Sequence, residues 1–343
     1  MVVVVIAGAS KTPPVGPALS TNVASSAVSS EWASAETPTA PAALATMSPQ
    51  VAAVRRRDSV MTYSVPVSSL ASQRSSAPTS DLLSPGCAQA APQVPPYARV
   101  VIVVEENHTA DSVLGSKAAP FINSLAAGGA LMTQSYAVAH PSEPNYLALF
   151  AGDTFGVDSD ACPLDLGDAP NLASELLAAG HTFGGFSEGL PAQGSPVCKA
   201  GGYARKHAPW TNFTNVPPGV SKPLGAFTGD GSLPTVSFVI PDLDDDMHDG
   251  SIAAGDSWLA AHLAGYANWA KANDSLLIVT WDEDDNHADN RIATIVYGAG
   301  VRPGTYDVPI NHYSVLSTVQ EIYGLPKTGQ AASAPPITGI WAG

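Results

Sequence analysis

The stretch Val-Val-Ile-Val-Val-Glu-Glu-Asn, residues 100–107, decides the fold that this sequence predicts. Its apolar residues are all β-branched, which is typical of a strand buried on both faces, as in a parallel sheet. Two carboxylates and an amide follow at once, at Glu105, Glu106 and Asn107. They would lie at the carboxyl end of the strand, where open α/β sheets bind their ligands. The stretch therefore predicts a parallel sheet with a polar site at one edge.

Strand and helix patterns alternate through the rest of the chain after residue 96. Further strand patterns cover residues 132–139, 182–186, 235–240, 275–281 and 291–297. Helical patterns cover residues 120–127, 146–152, 171–179, 257–273 and 313–323. This alternation predicts an α/β fold of three layers, α/β/α, with a mostly parallel sheet. Residues 191–231, rich in Gly, Pro and Lys, are interpreted as an insertion that covers the site.

The chain has 343 residues and an uneven composition, which bears on its domain organisation. Residues 1–96 are dominated by Ala, Ser, Thr, Pro and Val without sustained periodicity. Such a segment buries too little apolar surface to offset the entropy of ordering it. The sequence therefore predicts a disordered leader over residues 1–96 and one folded catalytic domain over residues 97–343.

Charge and hydropathy exclude two classes of partner. The net charge is −15, and nearly all of it falls after residue 96. No basic face is predicted, so we expect no nucleic-acid binding through phosphate neutralisation. No apolar run approaches the roughly 18 residues that a membrane-spanning helix needs, so none is expected.

Cysteine usage and the leader bear on the location of the protein. Cys162 and Cys198 lie in loop-like sequence and could pair if the protein is exported, whereas Cys87 would stay unpaired. The alternative is three independent thiols in a reducing compartment. A leader rich in Ser, Pro and Ala suits an exported protein, secreted or in the cell envelope, or a misassigned start codon.

Carboxylates at the ends of two predicted strands suggest a cation site. Glu106 and Asn107 follow the first strand, and Asp282 and Glu283 follow Trp281 at the end of another. Carboxylates gathered in a folded site repel one another unless a cation neutralises them. Oxygen ligands favour Ca²⁺, Mg²⁺ or Mn²⁺, while nearby histidines leave room for Zn²⁺ or Fe. The alternative for each group is a solvated strand end.

A hydroxyl is presented rigidly in the sequence Pro-Ser-Glu-Pro-Asn at residues 141–145. Ser142 lies between prolines just ahead of a predicted helix, whose N-terminal N–H groups would stabilise a phosphate. A metal bound nearby would lower the pKa of this hydroxyl and make it a nucleophile. Asn145 could donate to a phosphate oxygen. The alternative is an ordinary serine that caps a helix.

Two histidines have a context that favours function. His248 lies among the aspartates of residues 242–249, directly after a buried strand, which favours contact with a metal or a phosphate. His312 precedes a predicted helix. The remaining histidines lack such context, although Lys206 and His207 could lie on the part of the insertion that faces the site.

Five spaced motifs together resemble a known family. They are, in order, Glu-Glu-Asn-His, Pro-Ser-Glu-Pro-Asn-Tyr, Asp-Met-His-Asp-Gly, Thr-Trp-Asp-Glu-Asp and Asn-His-Tyr-Ser-Val-Leu. The set resembles the bacterial phosphoesterase family of acid phosphatases and phospholipases C, within the alkaline phosphatase superfamily. The likeness covers roughly residues 97–326 and implies an alkaline-phosphatase-like core.

The resemblance also implies roles for the residues. Glu106, Asn107, Asp282 and Glu283 would bind a divalent metal ion, with Glu106 preferred to its neighbour as the matching glutamate. Ser142 would be the nucleophile and would form a phosphoseryl intermediate.

The other implied roles concern the second half of the site. Asn145 would bind phosphate, and Asp242 and Asp246 would line the substrate side. His248 or His312 would act as general acid, which would suit an acidic pH optimum.

The predicted function is that of a metal-dependent phosphoric ester hydrolase acting on a small phosphoester, most simply an acid phosphatase. The aromatic-Asp-His-Val segment and the C-terminal extension associated with the phospholipase members are absent from this sequence, which favours a phosphomonoesterase. The alternatives are a phosphodiesterase or phospholipase C on the same site, and a non-catalytic surface protein that binds calcium.

Overall fold

The computed structural model describes residues 94–287 and 289–342. Residues 1–93 of the predicted leader, Cys87 included, lie outside the described residues. The strands are β1 (Arg99–Glu105), β2 (Ala130–Tyr136), β3 (Phe183–Ser187), β4 (Lys199–Ala200), β5 (Tyr203–Ala204), β6 (Ser221–Pro223), β7 (Val236–Ile240), β8 (Ser275–Trp281), β9 (Arg291–Gly298), β10 (Gly304–Tyr306) and β11 (Ile310–Asn311).

Within the described residues the main sheet has nine strands in the order β10-β2-β9-β8-β1-β7-β3-β6, with β11 also paired to β2. Neighbours are parallel except that β9 runs antiparallel to both β8 and β2. The predicted mostly parallel sheet is therefore confirmed. Strand β1 lies inside it, with Ile102 opposite Phe238 on one side and Ile278 on the other. Every residue of β1 after Arg99 is buried, which explains why its sequence is apolar from Val100 to Val104.

Helices cover both faces of the sheet and complete the three layers. They are α1 (Ala110–Val113), α2 (Pro120–Gly128), α3 (Ser142–Ala151), α4 (Leu172–Ala178), α5 (Ile252–Ala272) and α6 (His312–Ile322). Residues of α3, α4 and α6 pack on one face, beside Ile102 and Val104. Residues of α2 and α5 pack on the other, beside Val101 and Val103. Within the described residues, no helix is both long and apolar enough to cross a bilayer.

Two helices begin several residues earlier in the chain than predicted. The predicted helix over residues 257–273 begins five residues earlier, at Ile252, because the Ser251 side chain accepts a hydrogen bond from the Ala254 N–H. Ser142 is the first residue of its helix. The short strands β10 and β11 were not predicted, since two or three residues carry no periodic pattern.

Gly185 in β3 lies so close to the Trp210 ring that a side chain does not fit there, and this gives a stability prediction. A Cβ on Gly185 would lie 2.1 Å from Trp210 Cε2, whereas one on Gly265, in α5, would meet nothing within 4 Å. We expect Gly185→Ala to lower the free energy of unfolding by about 1–3 kcal/mol through overpacking. Gly265→Ala should raise it by roughly 0.5–1 kcal/mol, because alanine is the better helix former. Urea unfolding measures both, and equal midpoints for the two variants would contradict the packing described for β3.

A disulfide joins two loops on the side of the sheet that carries α3. Cys162, in the loop between α3 and α4, is bonded to Cys198, which precedes β4. The pairing considered from the sequence is therefore present. Cys198 also accepts a backbone hydrogen bond from Arg205 N–H at 2.9 Å, which closes the β4–β5 hairpin. The disulfide thus ties the loop after α3 to the insertion at residues 191–231.

Candidate active site

Three neighbouring strands, β8, β1 and β7, deliver polar residues to one edge of the sheet. Backbone hydrogen bonds hold their ends together. Glu106 N–H donates to the Asp246 carbonyl at 2.8 Å, and Asp282 N–H donates to the Glu105 carbonyl at 2.9 Å. Because parallel strands end at the same edge, residues far apart in sequence converge here, as the first stretch of the sequence predicted.

Ser142 lies at the centre of this edge, at the N-terminus of α3. Its side chain is buried, and its hydroxyl is 3.0 Å from Glu106 Oε2 and 3.3 Å from Glu283 Oε1. The structure therefore brings three of the predicted site residues into direct contact. A hydroxyl between two carboxylates at a helix N-terminus is placed for proton transfer and for phosphate binding.

Asn145 holds the loop that precedes Ser142. Its Oδ1 accepts from the N–H groups of Val138 and Ala139, at 2.9 and 3.0 Å. Its Nδ2 donates to the carbonyls of Ala139 and Pro141, at 2.9 and 3.2 Å. These contacts use both hydrogens and both lone pairs of the amide. The amide of Asn145 therefore shapes the backbone that presents the hydroxyl, and its contact with phosphate stays a prediction.

Asn107 and Asp282 join the site from β1 and β8. Asn107 has a left-handed backbone with φ 51°, and its N–H donates to Asp282 Oδ1 at 3.1 Å. Asn107 Oδ1 and Asp282 Oδ2 are both buried without a hydrogen-bond partner. Buried polar atoms are nearly always satisfied, so two unpaired oxygens point to a group that binds between them.

His207 completes a second set of ligand atoms that the sequence did not reveal. Its Nε2 lies 3.2 Å from Glu106 Oε1, and its Nδ1 lies 3.3 Å from Asp246 Oδ2. One atom from each of these three buried residues lies within 4.8 Å of the other two. The ring stacks on Tyr146, which also donates to Glu106. The signal in the sequence was only its place beside Lys206 on the insertion.

Burial and mutual repulsion raise the pKa values of four carboxyls at this edge, those of Glu106, Asp246, Asp282 and Glu283. Burial first, then the charges of Asp282 and Asp246, hold the pKa of Glu106 well above 4.5. Burial is also the main cause that raises the pKa of Asp246 to about 8 and those of Asp282 and Glu283 to about 7. A divalent cation would relieve this repulsion, and oxygen and imidazole donors suit it. The residues therefore fit the predicted cation.

Lys206 brings a positive charge to the same place. Its Nζ lies 2.8 Å from Asp160 Oδ2 and 3.5 Å from both Ser142 Oγ and His248 Nε2. Burial lowers the pKa of Lys206, but the charge of Glu106 and the contact with Asp160 raise it by more, so the net shift is upward. The ammonium therefore keeps its proton.

His248 faces the site, with its backbone and ring both fixed. Its N–H donates to Asp246 Oδ1 at 2.8 Å, and its Nδ1 lies 2.8 Å from Asp249 Oδ1. A carboxylate on one ring nitrogen orients the other. Because Nε2 lies near Lys206 Nζ, the imidazole reaches the side of the site that holds Ser142.

His312 lies beside Asp282, whereas Asp242 belongs to a second acidic cluster, and the roles predicted for both stay predictions. Buried His312, the first residue of α6, contacts the Asp282 carbonyl through Nε2 at 2.6 Å, and burial lowers its pKa to about 4. It is therefore neutral and orients Asp282. Asp242 belongs to a separate, partly exposed cluster with Glu188 and Asp245. Among the described contacts, neither His312 nor Asp242 touches Ser142.

The three-layer α/β/α fold and this site are those of an enzyme that hydrolyses phosphoric esters. The chain belongs to the phosphoesterase family, whose model matches residues 115–326. This membership confirms the family resemblance that the motifs indicated, and it sets aside the alternative of a non-catalytic calcium-binding protein.

Curated relatives agree with this class. The chain is 64% identical over 255 residues to a phosphatidylinositol-3-phosphatase of Mycobacterium tuberculosis, covering 74% of this chain and 85% of that one. It is 32% identical over 227 residues to an acid phosphatase of Aspergillus fumigatus, covering 60% of this chain and 51% of that one. The chain thus spans about half the length of this fungal relative.

A solved structure shares the fold. A protein of the alkaline phosphatase superfamily from Vibrio parahaemolyticus superposes with a TM-score of 0.50 over 71% of each chain, at 16% identity. This similarity confirms the alkaline-phosphatase-like core.

Proposed function

We propose that the chain is a metal-dependent phosphomonoesterase of the acid phosphatase type, with Ser142 as its nucleophile. The observation that carries the proposal is the place of the Ser142 hydroxyl, which is buried at a helix N-terminus between Glu106 and Glu283. No other function explains so well why a serine and several raised-pKa carboxyls meet at one sheet edge.

In this proposal the residues of the chain perform two successive displacements. Ser142 Oγ forms a bond to phosphorus while the bond from phosphorus to the leaving oxygen breaks, and the serine proton passes to Glu283. Water then forms a bond to phosphorus while the bond from phosphorus to Ser142 Oγ breaks, Glu283 returns its proton to Oγ, and phosphate is released. A divalent cation held by Glu106, Asn107 and Asp282 would polarise the phosphoryl group and lower the pKa of the Ser142 hydroxyl, which leaves the Glu283 carboxylate to take the serine proton.

We assign the general acid to His248. Its Nε2 lies on the side of Lys206 and Ser142, and Asp249 holds the orientation of the ring through Nδ1. His248 would give a proton to the leaving oxygen in the first displacement and take one from water in the second. His312, buried and neutral, would keep Asp282 in place for the cation.

Two further aspects of the proposal concern substrate and location. The similarity to a phosphatidylinositol-3-phosphatase supports phosphatidylinositol 3-phosphate as a substrate beside small phosphomonoesters.

The Cys162–Cys198 disulfide supports an exported enzyme, secreted or in the cell envelope, because such bonds persist in oxidising compartments.

A substrate panel with chelation tests the proposal against the phosphodiesterase and phospholipase C alternative. We expect phosphate release from p-nitrophenyl phosphate and phosphatidylinositol 3-phosphate, with bis-p-nitrophenyl phosphate and phosphatidylcholine cleaved on the order of 100-fold more slowly, because a diester lacks one ionised oxygen for the site to bind. Chelation should remove the activity, and separate additions of Ca²⁺, Mg²⁺, Mn²⁺, Zn²⁺ and Fe²⁺ should show which ion restores it.

The control for the panel is Asp244→Asn, which changes an exposed carboxylate outside the site and should leave the activity unchanged. Faster turnover of the diester than of the monoester would overturn the assignment to a phosphomonoesterase. Full activity after exhaustive chelation would overturn the metal dependence.

A further inference from the structure

We propose that Lys206 is a catalytic residue, whose ammonium binds a non-bridging oxygen of the phosphoryl group during transfer, and that Asp160 is the residue that positions it. This proposal rests on the assignment of Ser142 as nucleophile. It gives the insertion at residues 191–231 a part in the chemistry.

The place of Lys206 fits a contact with the reacting group. Its Nζ is 3.5 Å from Ser142 Oγ, and its side chain is 14% exposed. Of the lysines and arginines in the part of the chain that the structure describes, Lys206 is the one whose cationic group contacts Ser142. An oxygen of a phosphoryl group attached to Ser142 would come within hydrogen-bond distance of this ammonium. Such charge-assisted bonds are stronger than neutral ones.

The negative charges of the carboxylates around Ser142 favour a positive group on the side of the hydroxyl where Lys206 lies. Glu106 and Glu283 both contact the hydroxyl, and Asp282 lies next to Glu283 in the chain. A phosphomonoester adds further negative charge to the same small volume. A metal ion held by the carboxylates would neutralise one side of the phosphoryl group, whereas the ammonium of Lys206 faces it from the insertion. Fixed positive groups aimed at developing charge are the main source of rate in phosphoryl transfer.

Asp160 connects Lys206 to the helix that carries the nucleophile. Its Oδ2 accepts from Lys206 Nζ at 2.8 Å, and its Oδ1 accepts from the N–H of Glu143 at 3.0 Å. Glu143 is the second residue of α3, directly after Ser142. One carboxylate therefore fixes the ammonium with respect to the hydroxyl. This is the geometry expected of a positioning residue rather than of a surface ion pair.

The disulfide links the segment that carries Asp160 to the segment that leads to Lys206. Cys162 lies two residues after Asp160, and Cys198 opens the β4–β5 hairpin that leads directly to Lys206. The two cysteines, Asp160, Lys206 and His248 line one cavity of about 390 Å³. The exposed Lys199 lines the same cavity, and no contact with Ser142 is described for it. It is therefore a matched control.

The first experiment compares Lys206→Ala with Lys199→Ala on p-nitrophenyl phosphate. We expect Lys206→Ala to lower kcat/KM by about 100- to 1,000-fold, as removal of one transition-state donor does, and Lys199→Ala to stay within about twofold of the parent. Methylammonium or ethylammonium in the buffer should restore part of the lost rate, because the small cation fills the space of the missing group. Orthovanadate inhibition should weaken by a similar factor.

The second experiment tests Asp160 through coupling. Asp160→Asn keeps the hydrogen-bond acceptor for Glu143 but removes the charge that holds Lys206. We expect it to lower kcat/KM about tenfold alone and to add almost nothing to Lys206→Ala, since it acts through that residue. Independent, multiplicative losses in the double variant would overturn the positioning role.

Several outcomes would overturn the role of Lys206. One is a kcat/KM within threefold of the parent, and another is a loss that alkylammonium does not restore while vanadate inhibition is unchanged. If Lys206→Ala fails to fold, Lys206→Gln serves instead, with the same expected loss at an unchanged melting temperature. Activity that survives Ser142→Ala would instead refute the proposed function, whatever Lys206 does.

Discussion

Replacing Ser142 with alanine is expected to lower kcat for a phosphomonoester by about 10⁴-fold or more, because the variant has no oxygen to form the covalent intermediate. The hydroxyl contacts Glu106 and Glu283 in a buried position, and its removal leaves these carboxylates in place. The fold should therefore persist, and the loss should lie in the chemical step.

Acid quenching with a ³²P-labelled substrate measures the intermediate directly. We expect the parent protein to retain label at Ser142 and the alanine variant to retain none. Ser257→Ala is the control, since Ser257 is an exposed helix residue whose hydroxyl donates to the Ala253 carbonyl, away from the site. Label on the Ser142→Ala protein, or full turnover by it, would show that another group is the nucleophile.

The second large effect concerns the stability of the protein freed of divalent cations, which is expected to fall as pH rises from about 5 to 8. Asp282, Glu283 and Glu143 have pKa values raised to about 7, and Asp246 to about 8, in each case mainly by burial. A raised carboxyl pKa means that the folded state keeps a proton that the unfolded chain releases. The stability from this proton is complete below the ordinary carboxyl pKa and is lost as pH rises through the raised value.

Each unit of pKa difference corresponds to about 1.4 kcal/mol, and the groups interact, so the loss is on the order of several kcal/mol in total. We expect the melting temperature of the chelated protein to drop by roughly 10 °C between pH 5 and pH 8. Added cation should raise it more at pH 8 than at pH 5, because ionised carboxylates bind metal. Asp282→Asn should flatten both trends. A melting temperature that rises over this range without cation would contradict the assigned pKa directions.

The centre of the fold was predictable because its physical signals are local. The β-branched run of β1 can bury both faces only between two other strands, and the carboxylates after it and after β8 then have to meet at one edge. Ser142 was predictable for the same reason, since prolines and a helix start fix a hydroxyl within a few residues.

The rest of the site depends on contacts that no local pattern encodes. Lys206 and His207 lie in a short 3₁₀ turn of an irregular insertion, and they reach Glu106 and Ser142 only because of the way the insertion folds back. Asn145 has the residue type of a phosphate ligand, but a turn of the backbone uses its whole amide. The roles of such groups are set by tertiary structure.

The Cys162–Cys198 bond also has a consequence for how the enzyme matures. The loop after α3 also meets the insertion through the Asp160–Lys206 ion pair and through the hydrogen bond from Leu166 N–H to the Asn212 carbonyl at 2.8 Å, so the covalent link adds to contacts that already join the two segments. A chain that has folded but not yet oxidised would already have its nucleophile, its carboxylates and these non-covalent contacts in place, with the bond between Cys162 and Cys198 still to form. Oxidation would then be a late step of maturation that secures segments already in contact, and it would take place wherever the chain meets an oxidant.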